Sequence, residues 1–434
     1  MSGHVGSLAP AARDAQGTMF DIYLYDLPIG TLSPRGRGVR FEYSPQALEN
    51  EALPALSLSL PKRSEPFPDS QAGPFFRNLL PEQAYRRLVA TAVGTSVENS
   101  VALLGAIGGE CPGAVSIWPS GSQPPSQPEY RVLEEEDLLA LFSPSDRQAF
   151  ASAIVRGRLS LAGVQEKIAL LRDDRGRWHL PMKGAVTSHI LKQATTTFPQ
   201  LLENELFCTA LAREVKLDVV EADLLGPNVR VFCAERFDRR SAPESGQAPR
   251  SKLHQEDFCQ ILRTEPERKY EAEGGPGLRK CADVIRRHSS LPAADLPRLA
   301  RWVAFNYLIG NEDAHAKNLA LLYTADGLQL TPHYDLVSTE IYSDLERRLA
   351  MKIGGAWDIR NVQRNDWQRF AAAVGLPWDR VRAILMDLAD ALVEVLATTI
   401  EACVESYGQS SAYEQIAGVV EQSSQQLQRE LTRR

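Results

Sequence analysis

A chain of 434 residues, 44% apolar and 24% charged, is too long for one compact core and is expected to divide into two or three domains. Its formal net charge of −7 argues against nonspecific wrapping of nucleic acid and leaves room only for a local basic patch. No apolar run approaches the ~20 residues of a membrane span. The six scattered cysteines, with no Cys-x-x-Cys pair, read as buried free thiols of a cytoplasmic protein.

Residues 1–18 lack the apolar segment of a secretory signal and read as a disordered leader. Residues 20–26 alternate apolar and polar, Leu27-Pro28-Ile29-Gly30 carries turn chemistry, and 39–43 alternates again, so the chain opens in β structure. Segments 82–93 and 97–104 read as helices. A turn-rich break at 108–113 leads into a strand at 114–118, and the Pro-, Ser- and Gln-rich stretch that follows is the natural linker. These boundaries predict a first domain over 19–120, a linker at 121–131, a second unit over 132–238, a mostly helical unit over 239–400 and a helical tail at 401–434.

The second unit is expected to begin with a helix over 134–150, followed by a strand pair around a loop over 159–171. A short strand over 188–192 then ends in Lys192. The helix predicted over 202–215 places Leu206, Phe207, Ala210, Leu211 and Val215 on one face. A buried strand over 229–237 precedes a polar surface loop at 241–252. Further on, helices are broken by Gly274-Gly275-Pro276-Gly277 and by a hairpin whose strands, 319–323 and 328–331, flank Asp326-Gly327. Helices resume from Trp367.

The most informative stretch is Gly310-Asn311-Glu312-Asp313-Ala314-His315-Ala316-Lys317-Asn318, preceded by a helix carrying Trp302, Val303, Phe305 and Leu308. Asp313 and Asn318 stand five positions apart, and Asp335 follows the hairpin. Protein kinases use this order of groups. The first Asp takes the proton of the attacking hydroxyl, while the Asn and the later Asp bind magnesium against the nucleotide phosphates. Phosphoryl transfer needs positioning and charge neutralisation more than covalent help, and hard oxygen ligands suit Mg2+. On this reading Asp313 is the base and Asn318 and Asp335 are the metal ligands. His315 and Lys317 either steady the loop or, in the case of Lys317, reach the γ-phosphate of ATP. The competing reading of this stretch is a solvated turn rich in Asp and Asn.

Upstream, Ser160-Leu161-Ala162-Gly163-Val164-Gln165-Glu166-Lys167 lies where a phosphate-covering loop belongs. Backbone N–H groups of Ala162, Gly163, Val164 and Gln165 would cradle phosphates there, with Lys167 adding charge. The loop departs from G-x-G-x-x-G, so an ordinary hairpin competes. Lys192 follows at the position of a lysine that contacts the α- and β-phosphates, with Glu203 and Glu205 both in range to orient it; taken alone it reads as an exposed lysine ending a strand, and the order of groups along the chain favours the phosphate role. His254-Gln255-Glu256-Asp257 and Lys269-Tyr270 belong either to a substrate face or to helix caps.

The chain resembles the HipA-type serine/threonine kinases, toxins of bacterial type II toxin–antitoxin systems. The resemblance runs from about Met19 to Leu396. It is carried by Leu56–Pro61 (LSLSLP), Phe75–Glu82 (FFRNLLPE), Ile107–Ala114 (IGGECPGA), the Ser160–Lys167 run, Glu235-Arg236-Phe237-Asp238-Arg239, Leu253–Gln260, Lys269-Tyr270-Glu271, Gly274–Gly277, the Asp313 loop and Tyr334-Asp335. It implies an α+β, two-lobed protein-kinase-like fold with a β-rich N-terminal companion subdomain and a mostly helical C-terminal lobe. It implies ATP and Mg2+ as cofactors, and Ser160 as a loop serine whose autophosphorylation switches the enzyme off. A phosphoserine there would add nearly two negative charges where the nucleotide phosphates belong. It further implies a protein serine substrate, with aminoacyl-tRNA synthetases and notably the glutamyl-tRNA synthetase as best-known targets. The implied partner is a small HipB-like helix-turn-helix antitoxin, with DNA bound mainly through that complex. Two alternatives stand beside it: a small-molecule kinase of the aminoglycoside-kinase type, which the companion-like N-terminal part and Ser160 disfavour, and a binding module that sequesters an antitoxin.

Overall fold

The computed structural model describes residues 18–143, 146–226, 230–240 and 251–432. The predicted leader (residues 1–17 of it), most of the predicted 241–252 loop and Val229 lie outside the described residues. Two compact units emerge. One takes the described residues up to Val164 together with Leu171–Thr187, and the other takes Gln165–Leu170 and the described residues from Ser188 onward.

The first unit is built on a four-stranded antiparallel sheet in the order Gly38–Tyr43, Leu27–Arg35, Phe20–Leu24, Val115–Pro119. Period-two alternation puts Ile22, Leu24, Leu32, Phe41 and Ile117 in its core, against Phe75 and Phe76 from the helix Asp69–Arg77. The first hairpin corrects the sequence expectation. The turn is Tyr25-Asp26, both with positive φ (53° and 63°), and Leu27–Gly30 belongs to the returning strand. A two-residue loop with two left-handed residues matches the strand twist, which the Leu-Pro-Ile-Gly run does not do. The helix expected over 134–150 is two helices, Glu135–Leu141 and Arg147–Gly157, the second capped by the Asp146 carboxylate on the Ala149 N–H. Pro144, which a helix interior does not tolerate, falls between them in the sequence. The stretch 159–171 holds one strand, Lys167–Arg172, and not a pair.

The second unit carries an antiparallel sheet in which residues 167–170 pair with β1 (His189–Gln193), β1 with β2 (Val231–Glu235), and β2 with Ala222–Leu225. Helix α1 (Leu201–Glu214) packs Leu202 and Leu206 against Leu224 and Phe232. The rest is mostly helical. Helix α2 (Pro292–Leu308) is preceded by Leu278–His288 and followed by the hairpin β3 (Ala320–Thr324) and β4 (Gly327–Leu330), to which Gln255–Asp257 adds a third strand. Trp302, Phe305 and Leu308 of α2 are fully buried, so the helix entering the Asp313 loop is a packed element. Long helices at Trp378–Tyr407 and Ser411–Thr432 close the chain. All six cysteines are free and buried. No helix among the described residues is long and apolar enough to cross a membrane.

Candidate functional site

Lys192 leaves β1 as a buried cation between two carboxylates. Its Nζ stands 2.6 Å from Glu205 Oε1 on α1 and 2.7 Å from Asp335 Oδ1. Burial favours the neutral amine, but the two carboxylates outweigh it and hold the Lys192 pKa well above the ordinary lysine value. Burial pushes Glu205 upward, opposed by Lys192. For Asp335 burial acts upward as well, yet Lys192 and then Lys167 pull its carboxyl below the usual range, leaving an anion. Of the two glutamates in reach, the structure selects Glu205. It faces inward with Leu202 and Leu206, whereas Glu203 pairs with Arg230.

Asp335 continues the network outward. Its Oδ2 accepts from Asn318 Nδ2 at 3.0 Å, and its side chain is 41% exposed. The Asp335 backbone has φ +60°, a left-handed conformation that Asp tolerates better than most residues. Tyr334 anchors the position: its ring stacks on Phe237 at 5.7 Å and its hydroxyl donates to the Lys317 carbonyl.

The Asp313 loop is organised from the end of α2. Asn306 bonds the Trp302 carbonyl, Asn311 Nδ2 donates to Asn306 Oδ1 at 2.7 Å, and the Asp313 N–H donates to Asn311 Oδ1 at 3.0 Å. Further along, the His315 N–H donates to Asn318 Oδ1 and the Asn318 N–H returns to the His315 carbonyl, both at 3.0 Å. This reciprocal pair fixes Asn318. His315 and Lys317 are both buried in the loop, while Asp313 is exposed. The asparagine relay leaves little trace in the sequence: Asn306 carries no motif, and only its place in the last turn of α2 hints at it.

Asp313, Asn318, Asp335, Lys192, His315, Lys317, Gln165 and Lys167 therefore belong to the second unit, whereas Ser160, Ala162, Gly163 and Val164 belong to the first. Within the second unit, Gln165 Nε2 donates to the Gln193 carbonyl at 3.1 Å, and Lys167 is register partner of Lys192. Within the first, Ser160 is fully buried. Its N–H donates to the Glu110 carbonyl and its hydroxyl to the Leu79 carbonyl at 2.7 Å, and the Gly163 carbonyl accepts from Glu82 N–H. Asp257 caps the helix Phe258–Ile261 in a reciprocal box with Gln260, which realises the capping option for that stretch. Arg236, Asp238 and Arg239 form a buried ion cluster, with Arg236 bidentate on Asp238 at 2.8 and 2.9 Å.

The donor chemistry at Asp335 and Asn318 fits magnesium. The ionised Asp335 carboxylate is a hard donor, as is Asn318 Oδ1, which keeps a second lone pair beside the one that accepts from the His315 N–H, and Mg2+ takes few protein ligands beside water and phosphate. Among the described residues no group of three His, Cys, Asp or Glu side chains makes a self-sufficient metal cage.

A HipA-like C-terminal domain model matches residues 159–396, and a HipA N-terminal domain model matches residues 20–118. The protein named "Putative kinase Y4mE" from Sinorhizobium fredii is 37% identical over 88% of this chain and 91% of its own. The serine/threonine-protein kinase toxin HipA of Shewanella oneidensis is 31% identical over 76% of this chain and 78% of its own. A solved Shewanella oneidensis complex of HipA, HipB and operator DNA contains a chain with TM-score 0.78 and 27% identity, covering 95% of this chain and 96% of that one. The mixed α and β architecture is that of the HipA kinase-like structure.

Proposed function

The chain belongs to the HipA family, and from that premise we propose that it is an ATP- and Mg2+-dependent protein serine/threonine kinase acting as a toxin. The observation that carries the reading is Lys192 clasped by Glu205 and Asp335, with Asn318 on the far side of Asp335. An ordered lysine, an ionised carboxylate and an amide on separate elements make a phosphate-and-metal face. Asp313, exposed on the loop that follows the packed helix α2, accepts the proton of the acceptor hydroxyl. Lys192 directs its charge at the α- and β-phosphates, and Lys167 adds to it. Asn318 and Asp335 would hold Mg2+, which would supply charge neutralisation for the transferring phosphoryl group.

Ser160 is the autoregulatory acceptor in this reading, with Ala162, Gly163, Val164 and Gln165 as the phosphate-covering loop. Its hydroxyl is sealed on the Leu79 carbonyl, so its phosphorylation requires the segment to leave that site. The acceptor in trans is a serine of a translation-related protein, an aminoacyl-tRNA synthetase such as the glutamyl enzyme. The Shewanella neighbour is solved with HipB and operator DNA, and a HipB-like helix-turn-helix antitoxin with DNA bound through it is the corresponding assembly here.

The test is the intact mass of the purified chain before and after incubation with ATP and magnesium, beside Ser160→Ala and Asp313→Gln. One added phosphate in the wild type and in neither variant is the expected result. A wild type that starts unphosphorylated, binds nucleotide and gains nothing refutes the kinase reading. Equal gain by Asp313→Gln removes Asp313 from the chemistry.

A further inference from the structure

Asp313 is exposed on its loop, and among the described residues one hydrogen bond reaches its carboxylate: Tyr270 Oη donates to Asp313 Oδ1 at 2.7 Å. We propose that Tyr270 is a positioning residue for phosphoryl transfer, holding Asp313 by Oδ1 so that Oδ2 is aimed at the acceptor hydroxyl. This rests on the assignment of Asp313 as the base.

The argument begins with what an exposed aspartate lacks. Its side chain rotates freely about two torsions, and a base that wanders spends little time in reach of the proton it must take. A phenol bonded to one carboxylate oxygen removes that freedom and leaves the other oxygen with its lone pairs open. Tyrosine suits the task because its own ring has few rotamers and carries one donor at a fixed reach.

Tyr270 is itself built in. Its ring meets the His315 ring edge-to-face at 5.7 Å, and the Lys269 ammonium lies 5.4 Å from its centroid. Its carbonyl accepts from Glu273 N–H at 3.0 Å and Gly275 N–H at 2.9 Å, closing the turn that the Gly-Gly-Pro-Gly run forms. A Cβ on Gly275 would stand 2.3 Å from the Arg268 carbonyl oxygen and 2.7 Å from that of Tyr270, and Gly274 has φ +91°. The glycines therefore permit the close turn that presents Tyr270. A second link ties this turn to the base. Glu271 N–H donates to the Ala350 carbonyl at 2.9 Å, and Ala350 N–H donates to the carbonyl of Glu312, the residue before Asp313, at 2.7 Å. Two segments 43 residues apart are thus held in register by backbone on one side and by the Tyr270–Asp313 bond on the other.

Tyr270→Phe keeps the ring and deletes the donor. The experiment measures the rate of phosphate incorporation into the chain itself by intact mass over a range of ATP·Mg concentrations, for the wild type, Tyr270→Phe, Tyr270→Ala and Asp313→Asn. The saturated rate of Tyr270→Phe is expected to fall about tenfold, with the half-saturating ATP concentration unchanged. An unchanged saturated rate overturns the proposal, and so does a half-saturating concentration that rises in step, since that marks a general loosening of the fold. Tyr270→Ala, which also deletes the ring, should lose at least as much; more activity than Tyr270→Phe would show the ring obstructing the base and would overturn it too. If a wild type shown by its mass to start unphosphorylated incorporates nothing, the kinase reading falls and takes this one with it. If Asp313→Asn matches the wild type, Asp313 is not the base and Tyr270 has nothing to aim.

Discussion

Replacing Lys192 by Met should expose how strongly the second unit depends on the buried ion pair. Met fills similar space without charge, leaving Glu205, 2% exposed, with no cation in contact. Glu205 then becomes neutral instead of remaining a bare buried anion. Taking up a proton at pH 7 against the ordinary value of 4.5 costs about 1.4 kcal/mol per pH unit, so the penalty is at most about 3.4 kcal/mol, less what burial already costs Glu205 beside Lys192. Asp335 loses its Lys192 contact at little further cost, since it keeps Asn318 and faces water. The Glu205 pKa is raised in the folded variant, so its stabilising effect is complete below about pH 4.5 and is lost as pH rises toward the folded value. The measurement is denaturant-dependent hydrogen exchange on the amides of β1 and α1, read between pH 5 and 8 for Lys192→Met and Lys192→Met/Glu205→Gln. The double variant should recover most of that penalty at pH 7 and little at pH 5. A double variant no more stable than the single one, or a deficit independent of pH, would refute the reasoning.

Two further outcomes are expected. Glu312 is buried with neither carboxylate oxygen hydrogen-bonded; burial, then Glu340, pushes its pKa up to about 7, with Arg347 at 3.8 Å opposing. Stability should therefore decline as pH rises from about 4.5 to 7, and Glu312→Gln should flatten that slope and gain on the order of 2–3 kcal/mol by pH 7, read as the pH dependence of exchange at the Asp313 loop. Gly275→Ala should push the Arg268 and Tyr270 carbonyls apart, destabilising that turn by about 1–3 kcal/mol and slowing phosphate incorporation, seen as faster amide exchange at 268–275.

The path from sequence to site was readable wherever chemistry is local. Asp313, Asn318 and the Asp326-Gly327 hairpin announce themselves within nine-residue windows, because turn type and ligand spacing are short-range properties. Lys192 could be placed by its order along the chain, but the choice between Glu203 and Glu205 depended on which face of α1 turns inward, and that is decided by packing against Leu224 and Phe232. The Tyr270–Asp313 bond spans 43 residues and leaves no periodic trace. The Gly-Gly-Pro-Gly run was visible as punctuation, though not as the turn beneath a hydroxyl. The first hairpin was misplaced because Leu-Pro-Ile-Gly looks more turn-like than Tyr-Asp. Pairing of Leu24 with Leu27 and of Gly30 with Ile22 and Tyr43 decided otherwise.

The left-handed backbone of Asp335 bears on how its charge can be probed. An alanine at that position would remove the carboxylate and also place a Cβ-bearing residue without a compensating polar group in a conformation that strains it by about 1 kcal/mol or more. Lost activity in such a variant would mix two causes. Asparagine accepts the same backbone, so Asp335→Asn avoids that strain and reports the lost charge together with one acceptor, of the two that face Lys192 and Asn318, turned into a donor.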